Sequence, residues 1–62
     1  MITYVCYFID TKKKLIGRRE IHATDDLEAL AMARKLAVEQ KSHGFELWLA
    51  TKLIGAERTP LD

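Results

Sequence analysis

The chain has 62 residues, enough for one small domain but not for a second. Its net charge of +1 favours no class of charged partner, and its single cysteine excludes an intrachain disulfide. A core of this size rarely supplies more than roughly 3–5 kcal/mol, so association with another chain is an expected source of further stability. The N-terminal segment lacks the basic flank of a signal peptide, and no apolar run approaches the roughly 20 residues of a membrane span. We therefore expect a cytoplasmic protein without a membrane partner.

The first two predicted elements are strands. Residues 3–9 ("TYVCYFI") are rich in β-branched and aromatic side chains, and residues 15–23 ("LIGRREIHA") follow the polar turn "DTKKK". Both faces of the first strand are apolar, which is typical of a central strand covered on both sides. One face carries Tyr4, Cys6 and Phe8, and the other carries Val5, Tyr7 and Ile9.

A helix is predicted next, over residues 25–43. Thr24 or Asp25 suits the N-cap position, and Gly44 is expected to end the helix. Alanine and leucine, both strong helix formers, dominate its body. Small side chains in the apolar stripe would let the helix lie close to a sheet. The stripe consists of Ala29, Leu30, Ala33, Leu36 and Ala37.

The last two predicted strands cover residues 45–49 and 52–57, joined by a tight turn at Ala50 and Thr51. The order β-β-α-β-β predicts a single α+β domain over residues 1–62. It would contain a four-stranded antiparallel sheet in the order 2-1-3-4, with one helix packed on one face and the other face open. The turn would pair Trp48 with Leu53 and Leu47 with Ile54, and it would place Gly55 diagonally beneath the indole.

The only tryptophan is predicted to lie on the open face. If Phe45, Leu47 and Leu49 point into the core, strand alternation turns Trp48 away from it. The first strand adds one of its two apolar faces to this patch. We prefer the face that leaves the small Cys6 against the helix. The predicted interface then consists of Trp48, Leu53, Tyr7, Val5 and Ile9.

Such a patch predicts a homo-oligomeric, non-catalytic interaction or regulatory module. Contiguous apolar surface of several hundred Å² usually marks an interaction site, and a two-fold axis would let each sheet cover the other. The alternative is an ordinary surface tryptophan, with the side-chain stems of Glu46 and Arg18 folded over the indole.

A basic cluster supports a second hypothesis, nucleic-acid binding through the hairpin of residues 12–19. Lysines at a hairpin tip suit phosphate contacts. However, acidic residues lie close by, and lysines also protect exposed strands against aggregation, so a solvated tip is the simpler interpretation. The candidate nucleic-acid contacts are Lys12, Lys13, Lys14 and Arg18.

No constellation of catalytic or metal-binding residues is evident in the sequence. Cys6 lies in an apolar strand, and His22 and His43 lack the spacing of a zinc site. The pair Asp25-Asp26 suits a helix start better than acid–base catalysis. There is no glycine-rich phosphate loop. We therefore predict no enzymatic activity, cofactor, metal or small-molecule substrate.

The motifs "YFID", "DDLEA" and "ELW" resemble those of a group of small uncharacterised bacterial proteins of about this length. That group combines an opening aromatic hairpin, a "DD-x-EA" helix and a closing "ELW" hairpin, and the resemblance covers nearly the whole chain. It implies the β-β-α-β-β fold and no catalytic residues. Where the group often has Gly-Asp or Asp-Gly at its turns, this chain has "KKK" and "AT".

Overall fold

The sheet has the predicted strand order. The computed structural model describes residues 1–59; residues 60–62 of the predicted domain lie outside this range. The four antiparallel strands lie in the order β2-β1-β3-β4, with the helix packed on one face, which confirms the α+β fold. The elements are β1 (Ile2–Ile9), β2 (Leu15–Ala23), α1 (Asp26–Glu39), β3 (Gly44–Leu49) and β4 (Lys52–Arg58).

The core lies between the sheet and α1. From the helix come three alanines, each a single methyl group deep, so the helix sits close above the aromatic and aliphatic side chains of the strands. Leu30, Leu36, Leu49 and Ile54 pack around its margin. The buried apolar residues are Tyr4, Cys6, Phe8, Ile21, Ala23, Ala29, Ala33, Ala37, Phe45 and Leu47.

One side-chain interaction caps the start of the helix, and another joins the helix to β4. Asp25 is the N-cap, and its carboxylate accepts the backbone N–H of Glu28 at 2.8 Å. On β4, Glu57 receives two N–H bonds from Arg34, both 2.7 Å long, and these bonds lower the pKa of the Glu57 carboxyl. The helix is therefore fixed over one face of the sheet.

The helix ends earlier than predicted. Residues 25–43 were the expected helix, with Gly44 as its stop, but α1 ends at Glu39. The N–H of Ser42 bonds to the carbonyl of Ala37, and the N–H of Lys41 bonds to that of Val38, the pattern of a Schellman motif. Lys41 occupies its left-handed position, with φ of 55°. Lys41 therefore holds the left-handed position that glycine usually holds. The prediction placed the end of the helix at the next glycine, Gly44, and was too long for that reason.

Replacing Lys41 with glycine is expected to raise the free energy of unfolding by about 0.5–1 kcal/mol. Left-handed backbone disfavours a side chain with Cβ by roughly 1–2 kcal/mol, and the added freedom of the unfolded chain offsets about half of this. Urea unfolding followed by circular dichroism measures the change. Lys35→Gly, inside the same helix, is the control and should lower stability by about 1 kcal/mol. Equal changes in the two variants would contradict the assigned motif.

The two hairpin turns also use left-handed residues that are not glycine. At the first, the Asp10 carboxylate accepts the backbone N–H groups of Lys12 and Lys14 at 2.8 and 2.9 Å, while Lys13 adopts φ of 62°. At the second, Ala50 adopts φ of 54°. These positions lie in the "KKK" and "AT" turns, where a glycine or asparagine would be unstrained.

One predicted pairing is correct and two local predictions are wrong. Trp48 pairs with Leu53 as expected, but Leu47 pairs with Gly55 and not with Ile54, because a bulge interrupts the register between Leu47 and Trp48. A Cβ at Gly55 would lie 3.0 Å from a methyl carbon of Leu30, so Gly55 faces the helix and does not lie beneath the indole.

A buried tyrosine joins β1 to the start of the helix. The ring of Tyr4 is buried, and its hydroxyl donates a 2.7 Å hydrogen bond to Asp26. This bond, with burial and the neighbouring carboxylates, raises the pKa of Tyr4 to about 12. Unfolding exposes the phenol and returns its pKa to about 10. The unfolded chain therefore releases this proton first as the pH rises.

Tyr4 is expected to make the fold sensitive to alkali. Its contribution is complete below about pH 10 and is lost as the pH rises toward about 12. Tyr4→Phe should be less stable than the parent at neutral pH and lose less stability over that interval, so the two curves converge. Chemical unfolding at fixed protein concentration between pH 8 and about 12 measures this. Parallel curves would contradict the assignment; Cys6 titrates equally in both proteins.

Candidate interaction surface on the open sheet face

The face of the sheet opposite α1 carries one apolar side of β1. Tyr4, Cys6 and Phe8 point into the core, and the intervening side chains point to the opposite face. The preferred orientation of β1 is therefore confirmed. Phe45 and Leu47 are buried, Leu49 packs on the core margin, and Trp48 lies on the side away from the helix, as the alternation predicts.

The strand registers order this surface into rows that run across the sheet. We call it the open face and define it by four rows. From β2 to β4, the rows are His22–Thr3, Glu20–Val5–Trp48–Leu53, Arg18–Tyr7–Glu46–Ala56 and Leu15–Ile9–Gly44–Arg58. The two middle rows place the tryptophan and tyrosine beside Val5, near the centre of the sheet. All five residues predicted for the interface therefore belong to one surface.

A groove of about 400 Å³ runs along the centre of the open face. The groove contains four half-buried side chains, those of Val5, Tyr7, Ile9 and Trp48. Leu53, which follows Trp48 in its row on β4, is 46% exposed. The groove is walled at its ends by the two hairpin turns. Its lining consists of Val5, Tyr7, Ile9, Lys13, Leu15, Glu46, Trp48, Ala50 and Thr51.

Trp48 is held in place by its neighbour on the same strand face. Its indole N–H donates a 3.2 Å hydrogen bond to a carboxylate oxygen of Glu46, two residues earlier. This contact agrees with one part of the ordinary-surface alternative, in which Glu46 partly covers the ring. It also satisfies the one polar group of the indole, so the remainder of the ring presents apolar surface.

Leu15 is a member of this surface that the sequence analysis missed. It pairs with Ile9 because the register of β1 and β2 shifts between Phe8 and Ile9. The shift brings Leu15 into the groove, where it remains 63% exposed. Its apolar character at the start of β2 was visible in the sequence, but its side of the sheet depends on a bulge that the sequence pattern does not specify.

The basic residues of the first hairpin occupy two different places. Lys12 and Lys14 lie in the exposed turn, where their backbone N–H groups bond to Asp10. Lys13 contributes to the groove, and Arg18 lies on the open face in the row of Tyr7. The four candidate phosphate contacts are therefore divided between the turn and the open face, and Glu20 stands beside Arg18 on the same strand face.

The side chains considered for catalysis are buried or hydrogen-bonded within the fold. Cys6 is fully buried, and burial raises the pKa of its thiol to about 11, so it is protonated at neutral pH. Asp25 caps the helix, and Asp26 accepts the Tyr4 hydroxyl. His22 Nδ1 lies 3.2 Å from Thr3 Oγ1 across the strands. Among residues 1–59, no three His, Cys, Asp or Glu side chains are grouped closely enough to hold a metal ion.

Within the same range, no helix has the length and apolar character needed to cross a bilayer. Comparison of the chain with protein-family models, curated proteins and solved structures found no match. The resemblance to small bacterial proteins therefore stays a prediction.

Proposed function

We propose that this protein is a non-catalytic, cytoplasmic interaction module that associates with a second copy of itself through the open face. The observation that carries the proposal is the uncovered apolar centre of the sheet, with Trp48, Val5 and Tyr7 in adjoining rows. Soluble monomers rarely leave a contiguous apolar patch of several hundred Å² in water. Tryptophan and tyrosine are also enriched among residues that dominate binding energy.

The area of the face suits a small dimer. Strands lie about 4.8 Å apart and rise about 3.4 Å per residue, so four strands of about seven residues give a face on the order of 450 Å². The flat area of two such faces approaches the roughly 1,000 Å² of buried surface that a specific interface needs, and the projecting side chains add to it. Sheets commonly pack face to face about 10 Å apart, so a second copy supplies a matching surface.

The test is the molar mass of the parent protein as a function of concentration. Sedimentation equilibrium, with light scattering as a second method, should show a monomer–dimer equilibrium. Trp48 is the only tryptophan and lies in the proposed interface, so its fluorescence should shift to shorter wavelength as dimer forms. A protein that remains monomeric up to millimolar concentration, with unchanged emission, would refute the proposal.

Nucleic-acid binding is the second candidate, because Lys13 lines the groove together with Tyr7 and Trp48, and Arg18 pairs with Tyr7. Aromatic platforms with basic neighbours bind single strands by stacking and phosphate contact. Glu20 and Glu46 on the same face oppose it. Titration with a single-stranded oligonucleotide separates the two candidates, since phosphate binding weakens steeply as salt increases.

A further inference from the structure

One charged pair lies at the β2 margin of the open face. Arg18 stands in the row of Tyr7, and Glu20 stands in the row of Val5. Both are exposed, and neither forms an ion pair with another of residues 1–59. Because they are two positions apart on one strand, they project from the same face about 7 Å apart along β2.

Two simple two-fold axes bring identical sheets face to face. An axis along the strands lays β2 over β4 of the second copy, with each row facing its own counterpart. Arg18 would then face Ala56 of the second copy, and Glu20 would face Leu53 of the second copy. Glu20 would then lie against an apolar side chain without an opposite charge, and the carboxylate nearest to Arg18, that of Glu46 of the second copy one strand away, already accepts an indole N–H, which disfavours this arrangement.

An axis across the strands gives a different result. Placed midway between the rows of Tyr7 and Val5, it overlaps the four rows completely and lays β2 over β2 in the opposite direction. Arg18 then faces Glu20 of the second copy, and Glu20 faces Arg18 of the second copy. Packed sheets cross at about 30°, which displaces the facing rows at β2 by about 4 Å, within reach of these long side chains.

We propose that Arg18 and Glu20 determine how, and with what, the open face associates: they select a second copy whose β2 runs antiparallel over its own, through two reciprocal Arg–Glu pairs. This inference rests on the proposed self-association. The apolar centre supplies affinity, whereas the charged margin supplies orientation and excludes partners that lack the complementary pattern.

Charge reversal tests the orientation. R18E places two glutamates opposite each other at both contacts, and E20R does the same with two arginines, so each variant alone should dimerise at least tenfold more weakly than the parent. The double variant R18E/E20R restores opposite charges and should recover parental affinity. An equimolar mixture of the two single variants should form mainly heterodimer, which native mass spectrometry resolves by mass.

A matched mixture controls for net charge. R19E and E39R carry the same net charges as the two test variants, but Arg19 pairs with the core-facing Cys6 and Glu39 ends the helix, so neither lies on the open face. This mixture should show no preference for heterodimer. If the parent dimerises but the R18E and E20R mixture behaves like the control, the orientation is wrong and self-association stands. If the parent does not dimerise, both proposals fall.

Discussion

Trp48→Ala is expected to weaken self-association about thirtyfold or more, a loss of about 2 kcal/mol or more of binding free energy. The indole lies in one of the two middle rows of the open face, between Val5 and Leu53, so truncation removes the largest apolar side chain of the proposed interface. Its neighbours would be left around a depression that the second copy does not fill. Sedimentation equilibrium of parent and variant over the same concentration range measures the change.

The fold of the monomer should survive this substitution. Trp48 is half-buried on the face away from α1, and the core residues on either side of it, Leu47 and Leu49, are unchanged. Far-ultraviolet circular dichroism checks the fold. Leu27→Ala is the matched control, since Leu27 is a large apolar residue that is 79% exposed on the helix. If the Trp48 and Leu27 variants associate as tightly as the parent, Trp48 is not an interface residue.

Hydrophobic alternation was sufficient to predict the faces of the sheet. A strand with two apolar sides must be central, and the side carrying Cys6 suits a close helix of alanines; the structure places both as expected. Trp48 lies on the face away from the helix for the same reason, because successive side chains of a strand point to opposite faces. These features depend on the apolar and polar pattern of many side chains, so a single residue in a turn does not change them.

Features set by single backbone angles were not predictable in the same way. The helix is followed by a Schellman motif whose left-handed position is held by Lys41, although that conformation is unfavourable for a residue with a Cβ. The bulges next to Ile9 and Trp48 lie close to the two turns and are not specified by the hydrophobic pattern, so neither the place of Leu15 nor the partner of Leu47 could be read from it. The rows that bring Arg18 and Glu20 to the open face required the observed register.

Gly44→Ala is expected to lower the free energy of unfolding by about 1–3 kcal/mol, a large part of the stability of so small a domain. A Cβ at Gly44 would lie 2.8 Å from the backbone carbonyl oxygen of Glu57. The strand that carries this oxygen cannot easily withdraw, because the N–H of Thr59 bonds to the carbonyl of His43 at 2.8 Å. Urea unfolding of both proteins at one concentration measures the loss.

Alanine substitutions at Gly17 and Gly55 are the controls for the close contact between Gly44 and the backbone of β4. None of the three has positive φ, so alanine is compatible with the backbone at each. At Gly17 the added methyl would meet a ring carbon of Phe8 at 3.5 Å, an ordinary contact, and stability should rise by about 0.4–1 kcal/mol. At Gly55 it would meet a movable methyl of Leu30 at 3.0 Å, which predicts an intermediate effect. Since all three substitutions restrict the unfolded chain alike, equal changes at Gly44 and Gly17 would contradict the close contact of β3 with β4.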